Sequence, residues 1–140
     1  MKTIVLISCG AKKAEKETKA EDLYISPLFK KSLAYAKTLT TTDNIYILSA
    51  KHHLLSLNKV IAPYDVSLKK DITKEEDRVK WGEKVIEELK KVADIEKDKF
   101  IILAGQNYLT HLQGALKHIE TPLGGKKIGE RLQFLSNKLK

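Results

Sequence analysis

The chain has 140 residues, 42% of them hydrophobic, with one cysteine, a net charge of +8 and a pI near 9.4. That length suits one α/β-sized domain covering residues 1–140, and no apolar stretch approaches the roughly 20 residues that cross a bilayer. With no leader ahead of the first apolar run, a cytoplasmic protein without membrane contact is expected, and a lone thiol excludes an internal disulfide or a thiolate zinc site.

Residues 3–8, Thr-Ile-Val-Leu-Ile-Ser, form an apolar run without alternation, which predicts a strand buried on both faces. The run delivers Cys9 and then Lys12 and Lys13 into a polar stretch. Ser26 before Pro27 is a good helix N-cap with proline at the first helical position. The following spacing predicts a helix over 27–39 with Leu28, Ser32, Tyr35 and Leu39 inward. Residues 45–49 predict a second strand, ending in Ala50-Lys51-His52-His53. An irregular segment is expected from 50 to about 71. A helix from about 73 to 92 follows, with Val79, Val85, Ile86, Leu89 and Val92 inward. A third strand over 99–104 leads to Gly105; a helix over about 107–116, an extended piece at 118–121 and a last helix over 128–138 complete the order.

Short, non-alternating strands separated by helices predict an α/β fold: a small three-layer, Rossmann-like domain with a mostly parallel sheet of three or four strands. Ligands of such sheets collect outside the carboxyl ends of the strands. Ser8, Cys9, Lys12 and Lys13 after the first strand, Lys51 and His52 after the second, and Gly105, Gln106, Asn107 and Tyr108 after the third should therefore share one rim.

Other motifs set limits. Gly10 alone makes no Gly-x-Gly-x-x-Gly turn, and no Gly-x-x-x-x-Gly-Lys-Ser/Thr loop is present. The four histidines follow no metal spacing, so neither a metal nor a cofactor is expected. Gly124-Gly125-Lys126-Lys127 reads either as an anion-holding turn or as a connection to a capped helix. The positive charge invites a nucleic-acid reading, because a basic surface releases counterions from phosphates. Arg78 and Arg131 are the only arginines, however, and much of the lysine lies beside glutamate on helical faces. The loops 22–29 and 61–65 mix apolar anchors with Tyr24, Ser26, Tyr64 and Asp65. Their phenols either stack a planar base or plug the loops onto the core.

Ile7-Ser8-Cys9-x-x-Lys12-Lys13, Asp22-Leu23-Tyr24-x-Ser26-Pro27-Leu28-Phe29, Leu48-Ser49-Ala50-Lys51-His52-x-Leu54-Leu55 and Ile61-x-Pro63-Tyr64-Asp65 resemble a family of small bacterial and phage proteins known only as a domain of unknown function. The resemblance continues through Ala104-Gly105-x-x-Tyr108, Pro122-Leu123 and Ile128-Gly129-x-Arg131-Leu132, and that family more often has glycine where this chain has His53. The segment from Leu48 to Tyr64 is also similar to the central motif of YaaA-type peroxide-stress proteins, which are associated with DNA binding. Cys9-x-x-x-Lys13 looks like the Cys-x-x-x-Lys of the archaeosine synthase core, where the lysine attacks a deazaguanine nitrile and whose fold is related to uracil-DNA glycosylases. The other residues that accompany that lysine are absent here.

Residues and resemblance together lead to an expected enzyme acting on a nucleobase or modified base, its partner a nucleobase, nucleotide or nucleic acid. The alternative is a non-catalytic DNA- or nucleotide-binding protein. In the enzyme reading Lys13 or Lys51 attacks or holds a phosphate, and Asp65 or His52 moves a proton. Tyr24 and Tyr64 sandwich the base, while Ser8, Cys9, Lys12, Ser26, Gly105, Tyr108 and Arg131 bind substrate. Cys9 reads more readily as a buried small hydrophobe than as a nucleophile.

Overall fold

The computed structural model describes residues 1–10 and 12–140. In chain order the elements are β1 (Thr3–Ser8), β2 (Thr18–Lys19), α1 (Ala20–Leu23), α2 (Pro27–Leu39), β3 (Ile45–Ser49), β4 (His53–Ser56) and β5 (Val60–Ile61). They are followed by α3 (Glu75–Leu89), β6 (Lys99–Leu103), α4 (Gln106–Leu109), β7 (His118–Glu120) and α5 (Ile128–Lys138). Among the described residues five strands form one sheet in the order β4-β3-β1-β6-β7, with β2 and β5 paired separately. β1, β3, β6 and β7 run parallel and β4 antiparallel.

The apolar runs at β1, β3 and β6 are strands because both faces of the sheet are covered. Val5, Ile7, Ile45, Ile47 and Leu103 point to the layer of α2 and α5, whereas Ile4, Leu6, Leu48, Phe100 and Ile102 point to α3. Each such side chain contributes about 1.5–3 kcal/mol on burial. The mostly parallel α/β fold read from the sequence is the one observed, with a wider sheet than three or four strands.

The extra width comes from the segment expected to be irregular. Residues 53–56 turn back as β4, opposing Ser49 with His53 and Leu48 with Leu54. His53 takes the turn with a φ of 64°, a conformation that costs a residue with a Cβ atom but not glycine. The outer edge of β4 is partly closed, as Leu54 N–H donates to Glu88 Oε1 at 3.1 Å.

Helix boundaries agree best where caps are explicit. α2 starts at Pro27, and Ser26 Oγ accepts from Phe29 N–H at 3.3 Å. Its buried residues are Phe29, Ser32 and Ala36, so the expected stripe is rotated, with Leu28, Tyr35 and Leu39 half-buried beside it. Tyr35 instead meets Phe134 of α5 edge-on at 6.1 Å. α3 is shorter than the apolar period suggests and buries Trp81, Gly82, Val85, Ile86 and Leu89. Val79 stays exposed and Val92 lies beyond the helix end. Gly82 has a physical reason, because a Cβ there would sit 2.4 Å from the His111 carbonyl. The helix expected over 107–116 is only the short α4, followed by a 3₁₀ turn over Gln113–Ala115. At Gly124–Lys127 the chain makes a capped entry: Lys127 N–H donates to Glu130 Oε1 at 3.0 Å, so the anion-turn alternative finds an internal carboxylate in place.

The amino ends of the strands are closed by hydrogen bonds to backbone. Asp98 accepts from Lys2 N–H and from Asp94 N–H, each at 2.8 Å, and Thr40 Oγ1 donates to the Thr3 carbonyl at 2.8 Å. Among the described residues no helix is long and apolar enough to cross a membrane.

Candidate functional site

The crossover from β1 to β3 runs through α2 on one face, whereas after β6 the chain turns to the other, where Leu109 and Leu112 pack with Trp81 and Val85 of α3. The chain therefore leaves β1 and β6, which are neighbours, toward opposite faces. This is the switch point at which open α/β sheets form a crevice.

A cleft of about 640 Å³ lies there. Its floor is Ser8, Cys9 and Gly10 after β1 and Gly105 to Tyr108 after β6. Ser26, Pro27 and Leu28 at the start of α2, Ile128, Arg131 and Leu132 of α5, and Lys69 supply the walls. The volume falls within the 300–1,000 Å³ usual for small-molecule sites. Among the lining residues there is no carboxylate and no imidazole.

Arg131 is positioned rather than loose. Its Nε donates to the Lys126 carbonyl at 2.8 Å, and its guanidinium lies so close to Gly105 that a Cβ there would stand 2.8 Å from Nη2. Glycine thus allows the planar group to lie on the backbone at the mouth of β6. Among the described residues Nη1 and Nη2 have no hydrogen-bond acceptor. Arg78, by contrast, is consumed by the fold, donating to the Ile72 and Leu68 carbonyls at 2.7 and 2.8 Å.

Behind the floor runs a chain of hydroxyls. Cys9 Sγ stands 3.4 Å from Tyr108 Oη, and Trp81 meets the Tyr108 ring edge-on at 5.5 Å. Tyr64 Oη is hydrogen-bonded to Tyr24 Oη and, at 2.6 Å, to Ser49 Oγ. Ser49 is fully buried; its Oγ also accepts from His52 N–H at 3.0 Å and its carbonyl from Trp81 Nε1–H at 2.9 Å. Burial, reinforced by the Cys9 thiol, pushes the Tyr64 phenol up to about 12. Burial raises Tyr24 and Tyr108 as well, so at neutral pH the three phenols are neutral hydrogen-bonding groups.

A cationic patch adjoins this chain at the carboxyl ends of β1 and β3. Lys13 Nζ lies 4.5 Å and Lys51 Nζ 5.7 Å from the Tyr64 ring centre, and the His52 ring meets Tyr64 edge-on at 5.1 Å. Burial, then the charges of Lys51 and Lys59 and neighbouring His53, lower the His52 pKa and keep its imidazole neutral.

The expected site residues therefore divide. Ser8, Cys9, Ser26, Gly105, Tyr108 and Arg131 meet at the cleft, while Lys13, Lys51, His52 and Tyr64 form the patch beside it. Three of the expected residues are placed apart from the cleft. Asp65 is exposed and pairs with Lys70 at 3.0 Å, because its loop turns outward after Tyr64. Lys12 is exposed, and its carbonyl accepts from Ile25 N–H at 3.0 Å. Tyr24 is 1% exposed, its ring 5.1 Å from Phe29, so it plugs its loop onto the core and has no face for a base. Cys9 is half-buried and lines the cleft instead of being sealed in the core.

Ser49 and Trp81 escaped the sequence reading. A hydroxyl ending an otherwise aliphatic strand, and a lone tryptophan whose indole N–H needs an acceptor, are the signals that were there to find. Among the described residues no three of His, Cys, Asp or Glu stand close enough together to hold a metal ion.

Residues 4–137 match a family of unknown function (DUF6884), and the chain belongs to that family. It is also similar to the uncharacterized protein YfjM of Bacillus subtilis (strain 168), with 33% identity over 151 aligned positions covering 97% of this chain and 94% of that protein. No solved structure matches the chain significantly.

Proposed function

We propose that this family member recognises a nucleotide in the cleft between the carboxyl ends of β1 and β6. One observation carries the reading: a guanidinium fixed through Nε, with two donor nitrogens left over, lines a partly apolar crevice at the switch point of the sheet. A planar, permanently charged fork suits a phosphate, and Pro27, Leu28, Ile128 and Leu132 suit the apolar faces of a base and sugar. Tyr108, half-buried at the floor, offers a ring for stacking, worth on the order of 1–3 kcal/mol. The motif fragments similar to YaaA-type proteins and to the archaeosine synthase and uracil-DNA glycosylase-like core point the same way, toward bases and nucleic acid.

A second reading, an enzyme acting on the base, is favoured by the placement of Cys9. Its thiol is the nucleophile at the cleft floor, and Tyr108 Oη stands within reach of it. Against this, the absence of carboxylate and imidazole among the lining residues leaves no conventional general base, which is why recognition is placed first.

Calorimetric titration of the four nucleoside 5′-monophosphates separates the readings. Recognition predicts saturable binding that Arg131→Ala weakens about 10- to 100-fold, the worth of a charged hydrogen-bonding group. No heat with any of the four, or binding indifferent to Arg131, overturns the proposal. Base release or modification that stops in Cys9→Ser while binding persists selects the enzyme reading.

A further inference from the structure

The patch around Tyr64 is left unexplained by a ligand confined to the cleft. Lys13 and Lys51 approach one phenol ring from two different strand exits, yet neither lines the crevice. Both ammonium groups lie within about 6 Å of the Tyr64 ring centre, so this side of the rim presents positive charge beside an aromatic ring, the pairing that a phosphate flanked by a base can use. The neighbouring imidazole is neutral, so the charge comes from the amines. The patch and the cleft are continuous through Cys9, whose thiol faces Tyr108 in the cleft and adjoins Tyr64 beneath the lysines.

A crevice for one base and phosphate, followed one side chain away by a cationic aromatic step, has the composition of a groove that tracks a nucleic-acid backbone. Resting on the reading of the cleft as a nucleotide site, we propose that the ligand is a nucleotide within a single strand, and that Lys13 and Lys51 hold the adjoining phosphate over the Tyr64 ring. A free mononucleotide uses Arg131 alone. A duplex is disfavoured because its bases reach a crevice of this kind only after unstacking.

The test compares short randomised single-stranded oligonucleotides with the mixture of nucleoside 5′-monophosphates, titrated into the intact chain at low and at physiological salt. The parent protein is expected to bind the oligonucleotides about tenfold or more tighter than the monophosphates at low salt. Joint replacement Lys13→Gln and Lys51→Gln should abolish that advantage and lower the salt slope by about 1, leaving monophosphate affinity unchanged. Joint replacement by Arg should preserve the advantage, which separates charge from any structural role of the lysines. Equal affinity for strand and monophosphate overturns the strand inference and leaves the cleft reading intact. Duplex bound as tightly as single strand also overturns it. If monophosphates do not bind and strand binding ignores Arg131→Ala, both this inference and the cleft reading fall.

Discussion

The two ends of the parallel sheet differ in how far their polar side chains serve the backbone: at the carboxyl rim Ser49 and Arg131 each engage one backbone group, but most of the bonds run between side chains. At the amino rim Asp98, Thr40 and Lys2 each serve backbone groups: two N–H groups for Asp98, the Thr3 carbonyl for Thr40, and the Val92 carbonyl, at 2.7 Å, for the Lys2 ammonium. At the carboxyl rim Tyr24, Tyr64 and Ser49 bond one another, Cys9 faces Tyr108, and Arg131 keeps two donor nitrogens toward a crevice. A buried backbone donor must be satisfied wherever the fold puts it, so a group that does so is fixed by stability. Side chains that satisfy each other can be replaced as a set by apolar residues at little cost. Their place beside a cavity fits the ligand site proposed above.

If that contrast is right, the largest stability effect belongs to the amino rim. Asp98→Ala removes the carboxylate that two part-buried backbone N–H groups share and should cost about 2–3 kcal/mol in urea unfolding, with monophosphate affinity unchanged in the folded fraction. An equal loss of affinity would mean that the two rims are coupled and the contrast false. Tyr64→Phe keeps the ring under the lysines but removes the hydroxyl that joins Ser49 and Tyr24, so a smaller loss of about 1–2 kcal/mol is expected. Arg131→Ala, which the cleft reading needs for binding, should move the unfolding midpoint by no more than about 0.5 kcal/mol. A large loss there would make it a structural residue like Arg78.

The rims should also differ in pH. Asp98 has a carboxyl held below its ordinary range, first by the Asp94 and Lys2 N–H groups, so the folded state binds its proton later than the unfolded chain. Its stabilisation is complete above the unfolded carboxylate range near pH 4 and is lost as pH falls through the lowered folded value. His52 acts at milder acidity. Its folded pKa lies below the unfolded value near 6.5, so stability starts to fall as pH drops below that point and levels off beneath the folded value. His52→Gln should remove the upper step and Asp98→Asn the lower one in unfolding free energy measured against pH. A small effect of the opposite sign is expected at the turn between the rim strands: His53→Gly relieves the left-handed backbone and should gain about 0.5–1 kcal/mol.

Much of this was legible along the chain. The unbroken apolar character of residues 3–8, 45–49 and 99–103 marks strands covered on both sides, and Ser26-Pro27 fixes the start of α2. Less legible was β4, because His-Leu-Leu-Ser carries no clear alternation and becomes a strand by pairing with β3 and accepting cover from α3. The rotation of α2 was hidden for a related reason, since Tyr35 looks inward by period but is claimed by Phe134, a hundred residues away in sequence.

What the sequence determined by itself was the set of buried strands, their common direction through intervening helices, and hence the rim on which Cys9, Lys51 and Gly105 fall. Those properties are local or follow from short right-handed connections. The tertiary structure alone decided which polar residues on that rim meet. It sealed Tyr24 under Phe29, turned Asp65 toward Lys70, set Ser49 as the buried hydroxyl between Tyr64 and His52, and brought α5 across so that Arg131 lies on Gly105. Each of these depends on elements far apart in the chain packing at ångström separations, and no periodicity encodes such distances.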